Sequence, residues 1–374
     1  MERSAKVIFS DTHRDANMLY WAGIPVTDPF LAIECEDRRT AVIHTLERDR
    51  LKQHSRFHEV FLWEDCLSPQ ELAWPIFEKV VQILSLFQEK NQISRWHIPS
   101  YFPSAILVLL QKYNLSFEVL PNPFLPERVL KKEPEIEELR RAAHITSEAM
   151  DSARQIIAQS QIAPDHTLLF HGNPLTAEFL KNHIELFCFQ QGALAENTIV
   201  ACGPQSASPH EEGHGILYAH YPIVIDIFPR LKSSGYFGDM TRTYIKGNPS
   251  SQQQKLYDCV LEAHHQSILR LRDGASAGDI HDHNVTFFEE QGFLTQSSPE
   301  GCTGFIHGTG HGVGLDIHEE PRLAHKSGQL SRGMVVTVEP GLYYPDGGVR
   351  IEDTLLVRDE DAEPLTHGSY NWIL

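Results

Sequence analysis

A carboxylate inside an apolar strand is very costly unless something neutralises it. This 374-residue chain places several there. Asp226 lies in PIVIDIF, Glu339 in VVTVEPG, Glu352 and Asp353 in GVRIEDTLL, and Asp239 opens DMTRTYI. Each run has the apolar, β-branched content of a strand, and period-two alternation assigns its faces. Arg350, Glu352 and Thr354 share one face, while Val349, Ile351, Asp353 and Leu355 share the other. Thr337 accompanies Glu339, and Thr241 and Thr243 accompany Asp239. Taken singly, each acid reads as a strand-end group in solvent or in a salt bridge. Four of them together imply one surface on which cations neutralise them.

The stretch HGTGHGVGLDIHEEP, residues 307–321, supplies histidines. Two histidines four apart suggest a zinc helix, but Gly308 stands where that motif has its glutamate. Glycines follow at every second position to Gly314, each costing about 1 kcal/mol in a helix. The stretch is therefore a loop or strand. It is no nucleotide loop either, since the G-x-G-x-x-G spacing and a surrounding βαβ unit are both missing. Asp226, Asp239, Glu339 and Glu352 with one imidazole make an oxygen-rich set, suited to Mn²⁺, Co²⁺ or Zn²⁺ rather than to thiolate zinc. Four carboxylates balance two divalent ions, which can clamp one reacting oxygen. The chemistry expected is that of a dinuclear hydrolase.

The length suits two domains. Up to about residue 130, strand-like runs (KVIFS, FLAIEC, TAVIHT, FEVLP) alternate with helical ones (ELAWPIFEKVVQILSLFQEK, SAILVLLQKY). PNPFLPERVLKKEPE, 121–135, with four prolines, is the expected linker. A long amphipathic helix follows over 135–159, and the rest reads as α+β with mostly antiparallel strands. His264, His265, His281 and His283 are expected on exposed helix faces. A net charge of −18 argues against nucleic acid or anionic membrane as partner. Six cysteines without a C-x-x-C pair read as reduced thiols. MERSAKVIFSD carries charges where a signal peptide needs an apolar run, and AILVLL is too short to span a bilayer. A cytoplasmic location is expected.

HGTGHGVGLDIHEEP, VVTVEPGLYY and GVRIEDTLLV, preceded by IDIFPR…GYFGDMTRT, resemble the signature blocks of the metallopeptidase family of aminopeptidase P, prolidase and methionine aminopeptidase. Its catalytic fold is the pita-bread fold, and the blocks span about 200–357. DTHRDANMLYWAG…DPFLAIE resembles the creatinase-type N-terminal domain, and KKEPEIEELRRAAHITSEAM the start of the catalytic domain in the proline-specific branch. The resemblance implies an α+β pita-bread domain over 131–374 behind a smaller α/β creatinase-type domain over 1–130.

It also implies that Asp226, Asp239, His311, Glu339 and Glu352 are the metal ligands, with Asp239 and Glu352 bridging two divalent ions, Mn²⁺ first and Co²⁺ or Zn²⁺ as alternatives. His307, His318, Arg350 and His210 would line the substrate site, with His214 the alternative to His210. The implied reaction is hydrolysis of the Xaa-Pro bond at a peptide's N-terminus or in a dipeptide, by attack of a metal-bridging hydroxide. Glu339 would shuttle the proton, and His318 or His307 would steady the oxyanion. The implied partners are a peptide with proline second and another copy of the chain in a homodimer. Rival readings are a creatinase-like C–N hydrolase and a pita-bread binding module without catalysis. Arg322 is the candidate clamp for a free proline carboxylate. The chain departs from the family pattern between Asp226 and Asp239, where it is about two residues longer and carries Phe228 where a small residue is common.

Overall fold

The computed structural model describes residues 3–299 and 301–374. The chain divides into two compact units, meeting in sequence between Arg128 and Val129. The first is built on a six-stranded sheet of β1 (Ser4–Ser10), β2 (Phe30–Cys35), β3 (Arg38–Ile43), β4 (Glu59–Leu62), β5 (Arg95–Pro99) and β6 (Phe117–Leu120), in the order β4-β3-β2-β1-β5-β6. β1, β2 and β3 pair antiparallel, whereas β4, β5 and β6 join parallel. Parallel joins need crossovers, and helices Ile76–Asn91 and Ser104–Lys112 lie on the connections into β5 and β6. The first of these helices starts after Pro75, later than its apolar pattern suggests, because proline has no N–H for a helix interior. The proline-rich stretch is packed chain rather than free tether: Phe124 and Leu125 are buried, and the next helix begins at Glu133.

That helix, Glu133–Gln159, buries Leu139, Ala142, Ala149, Met150, Ala153 and Ile157 at three- and four-residue spacings. From Ala142 onward they pack on a three-stranded antiparallel sheet of β7 (Ile199–Cys202), β8 (Ile223–Ile227) and β9 (Met240–Tyr244), with β8 central. The chain continues through β10 (Gly310–Gly312), β11 (Glu319–Leu323), β12 (Val335–Val338), the hairpin β13 (Gly341–Tyr344) and β14 (Gly347–Arg350), then β15 (Asp353–Val357) and β16 (Ala362–Pro364). Five of these form an antiparallel sheet in the order β11-β10-β12-β15-β16.

GVRIEDTLLV is not one strand. Arg350 pairs with Gly341 inside the hairpin, Asp353 pairs with Val338 in the five-stranded sheet, and the chain crosses between them at Ile351 and Glu352. The histidine expectations also need correction. His265 is exposed, but His264 is fully buried, because Val260, His264 and Ser267 form one helical stripe facing inward. His281 and His283 are half-buried, and His281 Nδ1 lies 3.2 Å from Thr309 Oγ1.

Candidate metal centre

Five strands or strand ends bring the four acids and His311 together. Asp226 lies within β8, Asp239 just before β9, His311 in the middle of β10, Glu339 just after β12, and Glu352 in the crossing segment. All five line a cavity of about 730 Å³, together with His210, His307, His318 and Arg350. His311 Nε2 is 3.3 Å from Glu339 Oε1 and 3.6 Å from Asp239 Oδ2. Ligand atoms of Asp239, His311 and Glu352 all lie within 4.8 Å of one another. The glycine rhythm has a local reason here. A Cβ on Gly310 would collide with the Thr337 carbonyl, so only glycine lets β10 lie close enough to β12 to bring His311 against Glu339. His311 Nδ1 donates to Gly312 O at 3.1 Å, which turns Nε2 toward the carboxylates.

Burial, and then the neighbouring carboxylates, hold Asp239 and Glu352 well above the usual carboxylate range. Burial also raises Asp226, against the pull of Arg350, and its Oδ1 is a buried acceptor with no hydrogen-bond partner among the described residues. Burial works to lower His311, but Glu339 and Asp239 outweigh it and bring it up to about 9. Burial works to raise Glu339, and His311 overrides it, bringing it down to about 2. Of the groups in contact at the centre itself, four carboxylates face the Arg350 guanidinium and the His311 imidazolium, which leaves two negative charges uncompensated when all four are ionised. Buried charges without partners are expensive, and this donor set fits a divalent cation.

A pH dependence of the chelated protein follows. Asp239, Glu352 and His311 have raised values in the folded state, so above the range in which the lowered His264, His307 and His318 would take up protons on unfolding, about pH 6.5, these groups leave the folded protein holding more protons than the unfolded one. Stability should therefore fall as pH rises from about 7 through 9. Thermal scans in EDTA should show the melting temperature declining over that window, and saturating Mn²⁺ should flatten the slope. A rising or flat EDTA profile would contradict this charge count.

Around the acids, Arg350 organises one wall. Its guanidinium donates to Asp226 Oδ2 at 2.7 Å, Tyr343 Oη at 2.9 Å and Thr241 Oγ1 at 3.2 Å. Thr241 in turn donates to Glu352 Oε2 at 2.7 Å. His307 Nδ1 donates to Gly308 O at 2.7 Å, so its Nε2 accepts from Tyr343 Oη at 2.8 Å. Both ring nitrogens of His307 are thereby engaged, and it holds Tyr343 instead of offering a donor to the cavity. His318 is exposed and stands edge-on to His311 with ring centroids 4.3 Å apart. Partial burial and the His311 charge lower it to about 4, so it is neutral at pH 7. His210 is exposed in the lining, while His214 lies outside it, 3.6 Å from Glu211.

Three features escaped the sequence reading. Tyr343 is one. Lys131 is another: its side chain is 1% exposed, its Nζ lies 2.5 Å from Glu319 Oε1, and it fastens the strand that follows His318. The third is a pair behind the cavity, where Arg242 donates to Asp353 Oδ1 at 2.8 Å and to the carbonyl of Glu352 at 2.6 Å. Asp353 also accepts from Thr366 at 2.8 Å and Tyr370 at 2.7 Å, with His264 Nε2 at 3.2 Å.

Residues 137–359 match the model of metallopeptidase family M24. This chain belongs to that family. The M24 chain is 27% identical over 359 residues to the Xaa-Pro dipeptidase of Pyrococcus furiosus, an alignment covering 94% of this chain and 91% of the relative. The solved prolidase from Pyrococcus furiosus matches with a TM-score of 0.78 at 26% identity, covering 99% of this chain and 97% of that one. The X-Pro aminopeptidase of Thermotoga maritima has a TM-score of 0.80 at 22% identity over 100% and 98% of the two chains, a likeness of fold. The M24 unit thus has the α+β pita-bread fold, and the protein is a metallo-exopeptidase that uses a divalent metal. No helix among the described residues is long and apolar enough to cross a membrane.

Proposed function

We propose that this M24 enzyme is an Xaa-Pro dipeptidase, with two divalent ions, Mn²⁺ foremost, held by Asp226, Asp239, His311, Glu339 and Glu352. The observation that carries the dipeptidase reading is Arg322. It pairs in register with His311 on the neighbouring strand, and its exposed side chain lines the cavity. Among the described residues no hydrogen bond or ion pair engages that side chain. A guanidinium without a partner, one strand away from the ligand set, suits the carboxylate of a substrate that ends at proline.

The Xaa-Pro amide has no N–H, so recognition must come from a dedicated pocket rather than from backbone pairing. When bound, the ions would supply Lewis acidity to the scissile carbonyl and the attacking water. Glu339, partly open to the cavity, accepts the water's proton and passes it to the proline nitrogen. Neutral His318 at the cavity mouth offers an N–H to the carbonyl oxygen as it gains charge. Arg350, held by Tyr343, keeps the Asp226 carboxylate oriented, and the substrate's α-amino group sits among these acids, which explains removal from the end of a peptide.

The test is cleavage of Leu-Pro and of Leu-Pro-Gly-Gly after chelation and Mn²⁺ add-back. Metal-dependent cleavage of the dipeptide alone is expected, with two ions bound per chain. Comparable kcat/KM on the tetrapeptide would replace the dipeptidase reading with an aminopeptidase P. Arg322→Ala should raise KM for Leu-Pro by about 10- to 100-fold, the loss of one charge-assisted contact of about 1.5–3 kcal/mol. A KM within twofold of wild type would remove Arg322 from the carboxylate site.

A further inference from the structure

Phe228 stands two residues beyond Asp226, so strand alternation gives both side chains one face, and both line the cavity. The ladder fixes its place further. Asp226 pairs with Thr241 and Ile227 with Met240, and past these Gly238 N donates to Pro229 O at 3.0 Å. Phe228 is therefore in register with Asp239, where directly opposite Cβ atoms lie about 5 Å apart. Across the other edge of β8, Ile199 pairs with Asp226 and also lines the cavity. The half-buried benzyl ring thus continues a surface made by Asp226, Asp239 and Ile199.

The backbone that carries the ring is held. Pro229 restricts the residue before it to extended backbone. The hairpin that follows is closed by Arg230, whose Nε donates to Gly235 O at 3.2 Å and whose guanidinium lies 5.7 Å from the Phe237 ring. Its far end is fastened to helix Glu133–Gln159 by Ser234, 2.6 Å from Glu138 Oε2, and by Tyr236, 2.7 Å from Glu135 Oε1. A segment tied on both sides presents a fixed apolar wall beside an otherwise acidic group.

We propose that Phe228 is a specificity-determining residue, packing against the side chain of the substrate's first residue and favouring aliphatic or aromatic residues over glycine or aspartate. The inference rests on the Xaa-Pro reading above. With the scissile carbonyl among Asp239, His311 and Glu352, the proline side runs toward His318 and Arg322. The Cα of the first residue is one bond from that carbonyl on the opposite side, and its side chain faces Phe228 and Ile199. An acidic first residue would in addition meet Asp226 and Asp239.

The experiment compares kcat/KM for Leu-Pro, Phe-Pro, Gly-Pro and Asp-Pro in the Mn²⁺-loaded full chain, in Phe228→Ala and in Phe228→Leu. Wild type should prefer Leu-Pro over Gly-Pro by about tenfold or more. Phe228→Ala should lower that ratio by about fivefold, and Phe228→Leu should retain most of it. A ratio near one in wild type would overturn the proposal, whether or not the variants fold. So would Phe228→Ala slowing every substrate by the same factor, as lost folding or lost metal would. Cleavage of no Xaa-Pro dipeptide by wild type would overturn the Xaa-Pro reading itself, and this inference with it.

Discussion

Glu352→Gln should lower kcat/KM of the Mn²⁺-loaded enzyme by about three orders of magnitude, roughly 4 kcal/mol of transition-state stabilisation, and yet make the metal-free protein harder to unfold. Glu352 is almost fully buried among Asp239, Glu339 and Asp226, and its Oε2 accepts from Thr241. Glutamine keeps the shape and an acceptor for Thr241 but removes the charge. Without metal that relieves repulsion among buried acids, and with metal it removes a charge that, on the proposed assignment, would hold cations. The two effects have opposite signs, which separates them from an ordinary core lesion. Thermal scans in EDTA should place the variant above wild type, and the gain on adding Mn²⁺ should be smaller in the variant. Near-wild-type turnover in the metal-replete variant would sink the assignment of Glu352 as a ligand.

The second large effect lies behind the cavity. Arg242 and Asp353 are a buried ion pair, exposed by 1% and 3%. Removing one partner leaves the other charged without compensation, and about 3–5 kcal/mol of stability should be lost in Arg242→Met. Urea unfolding measures it. The double variant Arg242→Met with Asp353→Asn should recover part of that loss, because neither charge then remains buried and an acceptor stays for Thr366 or Tyr370. A single-variant loss below about 1 kcal/mol would mean that Asp353 is carried by Thr366, Tyr370 and His264 alone. Arg242 also donates to the backbone oxygens of Thr241 and Glu352, so metal affinity should weaken by about 10- to 100-fold in the single variant.

The acids could be found in the sequence because a carboxylate in an apolar strand contradicts its surroundings, and Asp226, Asp239, Glu339 and Glu352 all line the cavity. The same reasoning applied to bases would have exposed Arg242, which sits in the middle of MTRTYI. Tyr343 carried no such signal, since a tyrosine in a hairpin is ordinary until Arg350 and His307 meet on its hydroxyl. Lys131 lay beside another lysine near a helix start, where solvated charge is the norm, and only the tertiary contact with Glu319 sets it apart. Within the first unit, β4 and β5 are short and carry charged or polar residues, so their pairing partners decide them more than their own propensity. The break after Arg350 has the same origin: alternation carries through it, but which sheet each half joins is settled by distant strands.

The reach of Arg350 has a consequence for how the enzyme comes into being. Its hydrogen bonds span 141 residues back to Pro209, 124 to Asp226 and 109 to Thr241, and Glu352 closes on Thr241 across 111. During synthesis, Asp226 and Asp239 emerge long before the residues that enclose them, and until then they are ordinary solvated carboxylates with no cage to share. On the proposed ligand set, loading of the metal would therefore be a late event in the life of the chain. A chain released before Glu352 would lack one of the five proposed ligands, so on that assignment ion uptake would report that translation ran past this point.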